Sequence, residues 1–200
     1  RGGDRPGLEP LEQRLLLSTT YLVNTNLDNF DPGNPTTDGL VTLREAILAA
    51  NTDTQVADAS PGDGHDVIEF AAALAGQVIA LDGIELTITS DLTINGLGAD
   101  QLSIDAEGRT RVFTVADTVS EANISGLTIT GGQTGSLEDG GGIYTFASSL
   151  AMINVNVTAS QCGTYGSGAG IYNSIFGSLE MTNCQVTGNQ ADLSGGGVYN

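Results

Sequence analysis

The 200-residue sequence contains no lysine and no tryptophan, only two cysteines, and a single histidine, His65. Each shortage closes off a class of function. Six arginines face 24 acidic residues, and the net charge of −18 repels nucleic-acid phosphates and anionic lipid, so neither is an expected partner. One histidine excludes a multi-histidine metal centre from this segment. Cys162 and Cys184 cannot build a disulfide framework; they fall at different places in the chain's internal repeat and are expected as free thiols. Aromatic residues make up 5% of the chain, so any core must be built from aliphatic side chains. No run of ~20 apolar residues is available to span a bilayer as a helix. Leu15 to Leu17 is too short for the apolar core of a signal peptide, and there is no initiator methionine, so both ends read as cuts through a longer protein.

What remains is 40% hydrophobic, too much for a disordered polymer, and carries 28 glycines. Thr, Ile, Val, Gly and Asn dominate, which favours short strands joined by tight turns. Residues 1–18 carry Arg, Gly and Pro without alternation and read as a flexible lead-in. Residues 19–65 read as an N-terminal cap: a strand from Tyr21 to Thr25, an acidic turn-rich loop over 26–39, and one helix over 43–50. Thr42 and Glu45 have capping-box spacing, while Leu43, Ala46, Ile47 and Ala50 form an apolar stripe. Asn51 reads as the stop. A helix of about two turns is marginal alone, so it is expected to pack over the first rung of the strands beyond it and hide their edge. From residue 66 to 200 short alternating runs take over, such as Val67–Phe70, Val78–Leu81, Leu92–Ile94 and Val112–Val115. Strands this short need stacking neighbours.

The stacking is written in a repeat. Ile124-Ser-Gly126-Leu127-Thr-Ile129-Thr130 aligns with Met152-Ile-Asn154-Val155-Asn-Val157-Thr158 and with Met181-Thr-Asn183-Cys184-Gln-Val186-Thr187, at steps of 28 and 29 residues. Gln133, Gln161 and Gln190 recur behind them, as do the Gly-rich turns before Ile143-Tyr144, Ile171-Tyr172 and Val198-Tyr199. A period in this range marks a solenoid. Gly126, Asn154 and Asn183 share a tolerance of left-handed backbone, as a sharp corner between two inward-facing strands requires. The expectation is an all-β, right-handed, single-stranded parallel β-helix. Met152 would lie over Met181 and Leu150 over Leu179; Tyr144, Tyr172 and Tyr199 would form a column. Asn154 would bond Asn183 along the stack, and the three glutamines would do likewise.

These words resemble a known family. Asp38-Gly-Leu-Val-Thr-Leu-Arg-Glu-Ala-Ile47 with Ala50-Asn51 resembles the CSLREA motif at the head of many bacterial parallel β-helix proteins, with Val41 and Thr42 in place of the motif's Cys and Ser. Asp66–Phe70, Leu92–Gly96, Arg111–Val115 and Gly126–Gly132 resemble the coil segments usual downstream of that motif. The Gly-Gly-Gly-Ile-Tyr turns resemble repeats of polymorphic outer-membrane-type proteins, and residues 8–18 resemble the LEPR-XLL segment of large exported bacterial proteins. The resemblance implies a pectin-lyase-like β-helix, secreted or displayed on a bacterial cell surface or outer membrane.

That fold also hosts polysaccharide lyases and glycosidases, so chemistry has to be tested residue by residue. His65 has no nucleophile turn to serve and reads as a loop residue. Asn51-Thr-Asp53 spells a polygalacturonase word but lies just after the helix, off any coil strand. Arg109 or Arg111 could act as a lyase base, yet no aspartate cluster in register accompanies them; both read as residues of a solvated turn before the Val112 strand. Asp28, Asp31 and Asp38 are the best Ca2+ candidates. Their spacing is not that of an EF-hand, and the Asp-Pro and Asn-Pro dipeptides explain them as turn formers. No catalytic, cofactor-binding or metal residue is therefore assigned, and no cofactor is expected. The expected function is a monomeric, non-catalytic structural or adhesive surface protein whose partners are extracellular polysaccharide or cell-surface protein. The alternatives are a polysaccharide-active enzyme and a carbohydrate-binding module using the tyrosine column.

Overall fold

Residues 18–28 and 37–200 are described in a computed structural model, so the lead-in over 1–17 and the middle of the acidic loop lie outside the described residues. Strand β1, Thr20–Val23, and helix α1, Leu43–Thr52, precede the stack. Five coils of three strands follow. The first contains β2 (Asp66–Phe70), β3 (Gln77–Ala80) and β4 (Leu86–Ile88), and the second β5 (Leu92–Asn95), β6 (Leu102–Asp105) and β7 (Phe113–Val115). The third contains β8 (Ala122–Ser125), β9 (Thr128–Thr130) and β10 (Ile143–Thr145). The fourth contains β11 (Ser149–Ile153), β12 (Asn156–Thr158) and β13 (Ile171–Asn173), and the fifth β14 (Ser178–Thr182), β15 (Gln185–Thr187) and β16 (Val198–Tyr199). Each strand pairs in parallel with its equivalents above and below, giving three parallel sheets: β1-β2-β5-β8-β11-β14, β3-β6-β9-β12-β15 and β4-β7-β10-β13-β16. The chain is a parallel β-helix, and crossovers between parallel neighbours take the right-handed sense.

Period-two alternation turns one set of side chains inward, and coil-on-coil register stacks like on like. Ile68, Ile94, Ile124 and Met152 form one interior ladder, with Met181 next, and Ile79, Ile104, Ile129, Val157 and Val186 form a second. Leu86, Phe113, Ile143, Ile171 and Val198 form the third. Leu150 over Leu179 holds as the repeat predicts. The corner residues Gly126, Asn154 and Asn183 sit at φ 59°, 54° and 54°, in the left-handed region. Asn183 Nδ2 donates to Asn154 Oδ1 along the stack. One ladder changes character along the axis. Ile88 and Val115 are followed by Thr145 and Asn173, and the buried Thr145 hydroxyl bonds Ser148 at 2.9 Å and donates to Asn173 Oδ1 at 3.3 Å.

The cap meets the leading strand of all three sheets. Strand β1 pairs with β2. Asn26 Nδ2 donates to Val78 O on β3. On the β4 side helix α1 supplies side chains where a strand would be. Arg44 donates to Ile84 O at 2.7 Å and Glu85 O at 3.0 Å, and Asn51 takes Thr87 O at 2.7 Å and Thr89 N at 2.8 Å. The capping box is formed: Thr42 Oγ1 accepts from Glu45 N and Glu45 Oε2 accepts from Thr42 N. Leu43, Ala46, Ile47 and Ala50 are buried as the stripe predicts.

Several boundaries differ from those read in the sequence. The helix runs past Asn51 to Thr52 and stops at Asp53, which is in the left-handed region at φ 51°. Asn51 stays helical because its amide is committed to β4. The first strand ends at Val23, not Thr25, since Asn24 turns away to exchange hydrogen bonds with Val41. The pairing that recurs at Gln133, Gln161 and Gln190 is a backbone bridge; the three amides are exposed, and among the described residues they form no side-chain ladder. Corner loops on this flank splay the long side chains into solvent.

Candidate functional site

Polar grooves run along the flank where the second sheet turns towards the third. One, of about 320 Å³, is lined by Glu85, Arg109, Thr110, Arg111, Gln133 and Glu138. A second, of about 280 Å³, lies farther along the same column and is lined by Gln161, Gln190, Thr164 and Asp192. Both are walled by the loops whose length varies between coils, which is where a solenoid accommodates change without disturbing its strands.

Arg111 is not a solvated turn residue. Its side chain is 15% exposed. It donates to Glu85 Oε2 at 2.7 Å on the coil before, to Thr114 Oγ1 at 3.1 Å on its own coil, and to Gly140 O and Asp139 O at 2.8 and 2.9 Å on the coil after. Its guanidinium also lies 5.2 Å from the centre of the Tyr144 ring. A group tied to so many acceptors across three coils is a clamp and is poorly placed to take a proton from a substrate. Arg109 fits the solvated reading: it is half exposed and pairs with Glu107 and, at 3.6 Å, with the exposed Asp82.

From Arg111 the tyrosines continue as a column. Tyr144 and Tyr172 stack at 5.4 Å and 3°, Tyr172 and Tyr199 at 4.9 Å and 1°. A sugar-binding platform offers ring faces, whereas in this column the facing sides of neighbouring rings cover one another. Burial, with Asp139 and the neighbouring hydroxyls, raises the Tyr172 pKa. The column packs the coil flank, leaving Tyr199 as its most exposed ring among the three.

The other sequence candidates separate. His65 Nε2 meets Thr93 Oγ1 at 2.8 Å, a loop-to-coil tether. Asn51 and Asp53 belong to the cap helix and its end. Asp28 is buried and grips Arg44 through both oxygens, at 2.8 and 2.7 Å, while also accepting from Asp82 N. Asp38 Oδ1 closes its own turn by accepting from Leu40 N. The structure thus employs Asp28 and Asp38 separately, and Asp31 lies outside the described residues. Among the described residues no three His, Cys, Asp or Glu side chains gather as a metal cluster, and no helix is long and apolar enough to cross a membrane. Cys162 and Cys184 are free, their thiols directed at Ser167 O and Met152 O.

Two features carry no signal in the sequence. Leu137, Tyr165 and Phe176 sit on loop tips with φ of 67°, 66° and 72°, and are 76%, 60% and 92% exposed. Left-handed backbone is costly for such residues, and an exposed side chain returns nothing to the fold. No periodic pattern announces a loop tip. The second feature is a polar trio, the buried Tyr21 and Asp66 with the exposed Asp53, drawn from three separate segments. Burial raises the Tyr21 hydroxyl pKa, and the charges of Asp66 and then Asp53 raise it further.

No protein-family profile matches the chain, and no solved structure matches it. A curated Dictyostelium discoideum protein described as metabotropic glutamate receptor-like protein P is 35% identical over 88 residues, which is 42% of this chain and 6% of that protein. The chain therefore spans a small fraction of that relative's length.

Proposed function

We propose that the chain is an exported, non-catalytic adhesive scaffold of the CSLREA-headed bacterial β-helix type, which holds loop tips out from a rigid stack towards a protein on another surface. The observation that carries this reading is the set of apolar tips Leu137, Tyr165 and Phe176, each exposed and each in left-handed backbone. A fold that keeps such conformations without packing the side chain gains by contact elsewhere. The apolar chemistry favours a protein face over a polysaccharide. Two further facts support it: Arg111 is engaged in structural bonds, and Thr42, Leu43, Arg44, Glu45, Ala46, Ile47, Ala50 and Asn51 of the stretch that resembles the family motif each have a capping or packing task.

The test uses beads coated with the purified chain and presented to cells with and without prior protease treatment of the cell surface. Wild-type beads are expected to adhere, protease-treated cells to lose them, and the triple change Leu137→Gly, Tyr165→Gly and Phe176→Gly to abolish adhesion. Its thermal unfolding should be unchanged or raised, since glycine relieves the left-handed strain. Equal adhesion by the triple variant overturns the adhesive role. Release of unsaturated or reducing sugar ends from polyuronates, lost in Arg109→Ala, would replace it with the lyase reading.

A further inference from the structure

Asp66 occupies the foot of an inward ladder that continues as Leu92, Ala122, Leu150 and Leu179, so a carboxylate stands where every later coil has an apolar side chain. It is wholly buried. Its Oδ1 accepts from Thr19 N at 2.8 Å and Asp63 N at 3.2 Å. Among the described residues its Oδ2 meets no hydrogen-bond geometry, and neither does the hydroxyl of Tyr21, which is 3% exposed and lies beside it. Both oxygens face the same spot. A Cβ placed on Gly62 would run into Asp66 Oδ2 and lie 3.0 Å from each of Tyr21 Oη and Asp53 Oδ1. Strand β1, the end of α1 and the start of β2 therefore aim three oxygens at the flank of a residue that has no side chain.

Among the described residues no cation compensates the charge there. The chain has no lysine. The arginines of the described residues are occupied elsewhere: Arg44 with Asp28, Arg109 with Glu107 and Asp82, Arg111 with Glu85. An ionised carboxylate in an apolar ladder needs a compensating charge. A proton would serve Asp66 alone. The convergence of a second carboxylate and a hydroxyl, all hard oxygen donors from separate segments, matches what an oxygen-seeking divalent cation requires.

We propose that Asp66 Oδ2, Asp53 Oδ1 and the Tyr21 hydroxyl form a site for a hard divalent cation that pins the cap to the first coil. Two carboxylates and a phenol make this a modest site, with water and backbone carbonyls completing the shell, and affinity on the order of millimolar is expected. It is distinct from Asp28 and Asp38, whose oxygens are engaged by Arg44 and by turn closure.

The probe is Ca2+ added to chelator-treated protein at constant ionic strength, read by thermal unfolding, with Tb3+ emission sensitised by tyrosine as a second readout. Binding should raise the unfolding temperature. Asp66→Asn and Asp53→Asn should each weaken Ca2+ by about tenfold or more through loss of ligand charge. Asp53→Asn is the safer variant, because asparagine accepts the left-handed backbone at that position. Tyr21→Phe should retain the thermal shift in reduced form and lose most of the sensitised emission. The proposal is overturned by no Ca2+-dependent shift at millimolar levels, by a shift that survives both Asp→Asn changes, or by Ca2+-insensitive stability that climbs on acidification in wild type and not in Asp66→Asn. The last result would assign the compensating charge to a proton.

Discussion

At the scale of single residues, Arg44 shows how one side chain can stand in for missing backbone. Its guanidinium holds four acceptors at once: both oxygens of Asp28 and the carbonyls of Ile84 and Glu85. The Asp28 side chain is 2% exposed. Removing the arginine leaves a buried carboxylate with, among the described residues, only the Asp82 N–H. Arg44→Leu is therefore expected to cost about 3–5 kcal/mol, the range for breaking a buried pair from one side. Arg44→Lys should recover only part, since three donors on a point charge cannot reproduce a planar fork. Adding Asp28→Asn to Arg44→Leu should recover part by removing the orphaned charge. Midpoints of urea unfolding for the four proteins decide the matter, and an Arg44→Leu midpoint close to wild type would mean that the pair carries no net stability.

Helix α1 is the element on which the cap depends, and its two ends differ in how readable they are. Thr42 and Glu45 announce the start because a capping box is a local device, complete within four residues. The stop at Asp53 is not legible because Asn51 is held helical by β4, a partner 36 residues away that no local pattern reveals. The strand runs of 66–200 are legible for the opposite reason: repetition exposes long-range pairing as a period in the sequence. Tyr21, Asp53 and Asp66 are not legible as a trio, since two of them come from the cap and only Asp66 from the coils, where no later coil repeats a carboxylate at its position. The capping box itself makes a pH-dependent prediction. Burial is the largest influence on Glu45 and raises its pKa, outweighing the hydrogen bonds from Thr42 that lower it. A carboxyl with a raised folded pKa adds stability that is complete below its unfolded value of 4.5 and is lost as pH rises through the folded value. Glu45→Gln, which keeps the acceptor without the charge, should thus match or exceed wild type at pH 7, with the difference narrowing or reversing as the pH falls towards the ordinary glutamate range. Thr42→Ala should lose about 1 kcal/mol at both ends of that window. Thermal melts across it check both, and a Glu45→Gln protein destabilised at pH 7 would mean that the charge on the carboxylate strengthens the cap.

For the whole molecule, the question is what sets the spacing between coils, and the glycines before each tyrosine answer it. Gly142 and Gly170 occupy equivalent turns, and a Cβ on Gly142 would lie 2.5 Å from Gly170 O, just as one on Gly170 would lie 2.5 Å from Gly197 O. Two coils about 4.8 Å apart leave no room for a methyl group pointing along the axis. Gly142→Ala must therefore push the third and fourth coils apart on one flank, opening the β10–β13 pairing and the Tyr144–Tyr172 stack while the opposite sheets stay anchored. Because a solenoid's coils contact only their neighbours, the damage should fade with distance along the axis. Amide hydrogen exchange is expected to rise at Ile143–Thr145 and Ile171–Asn173 and to stay unchanged at β1, α1 and β2. Gly135→Ala is the matched control: that glycine lies on a loop of the same flank, its backbone is unstrained, and the nearest atom to an added Cβ is Glu138 Oε2 at 3.4 Å. It should fall within about 0.5 kcal/mol of wild type. If Gly142→Ala were equally silent, the coils would have slack along the axis, and close backbone approach could not be what requires glycine there. If its exchange spread evenly to the cap, the stack would be unfolding as one cooperative body, and the tips it carries would not be held independently of one another.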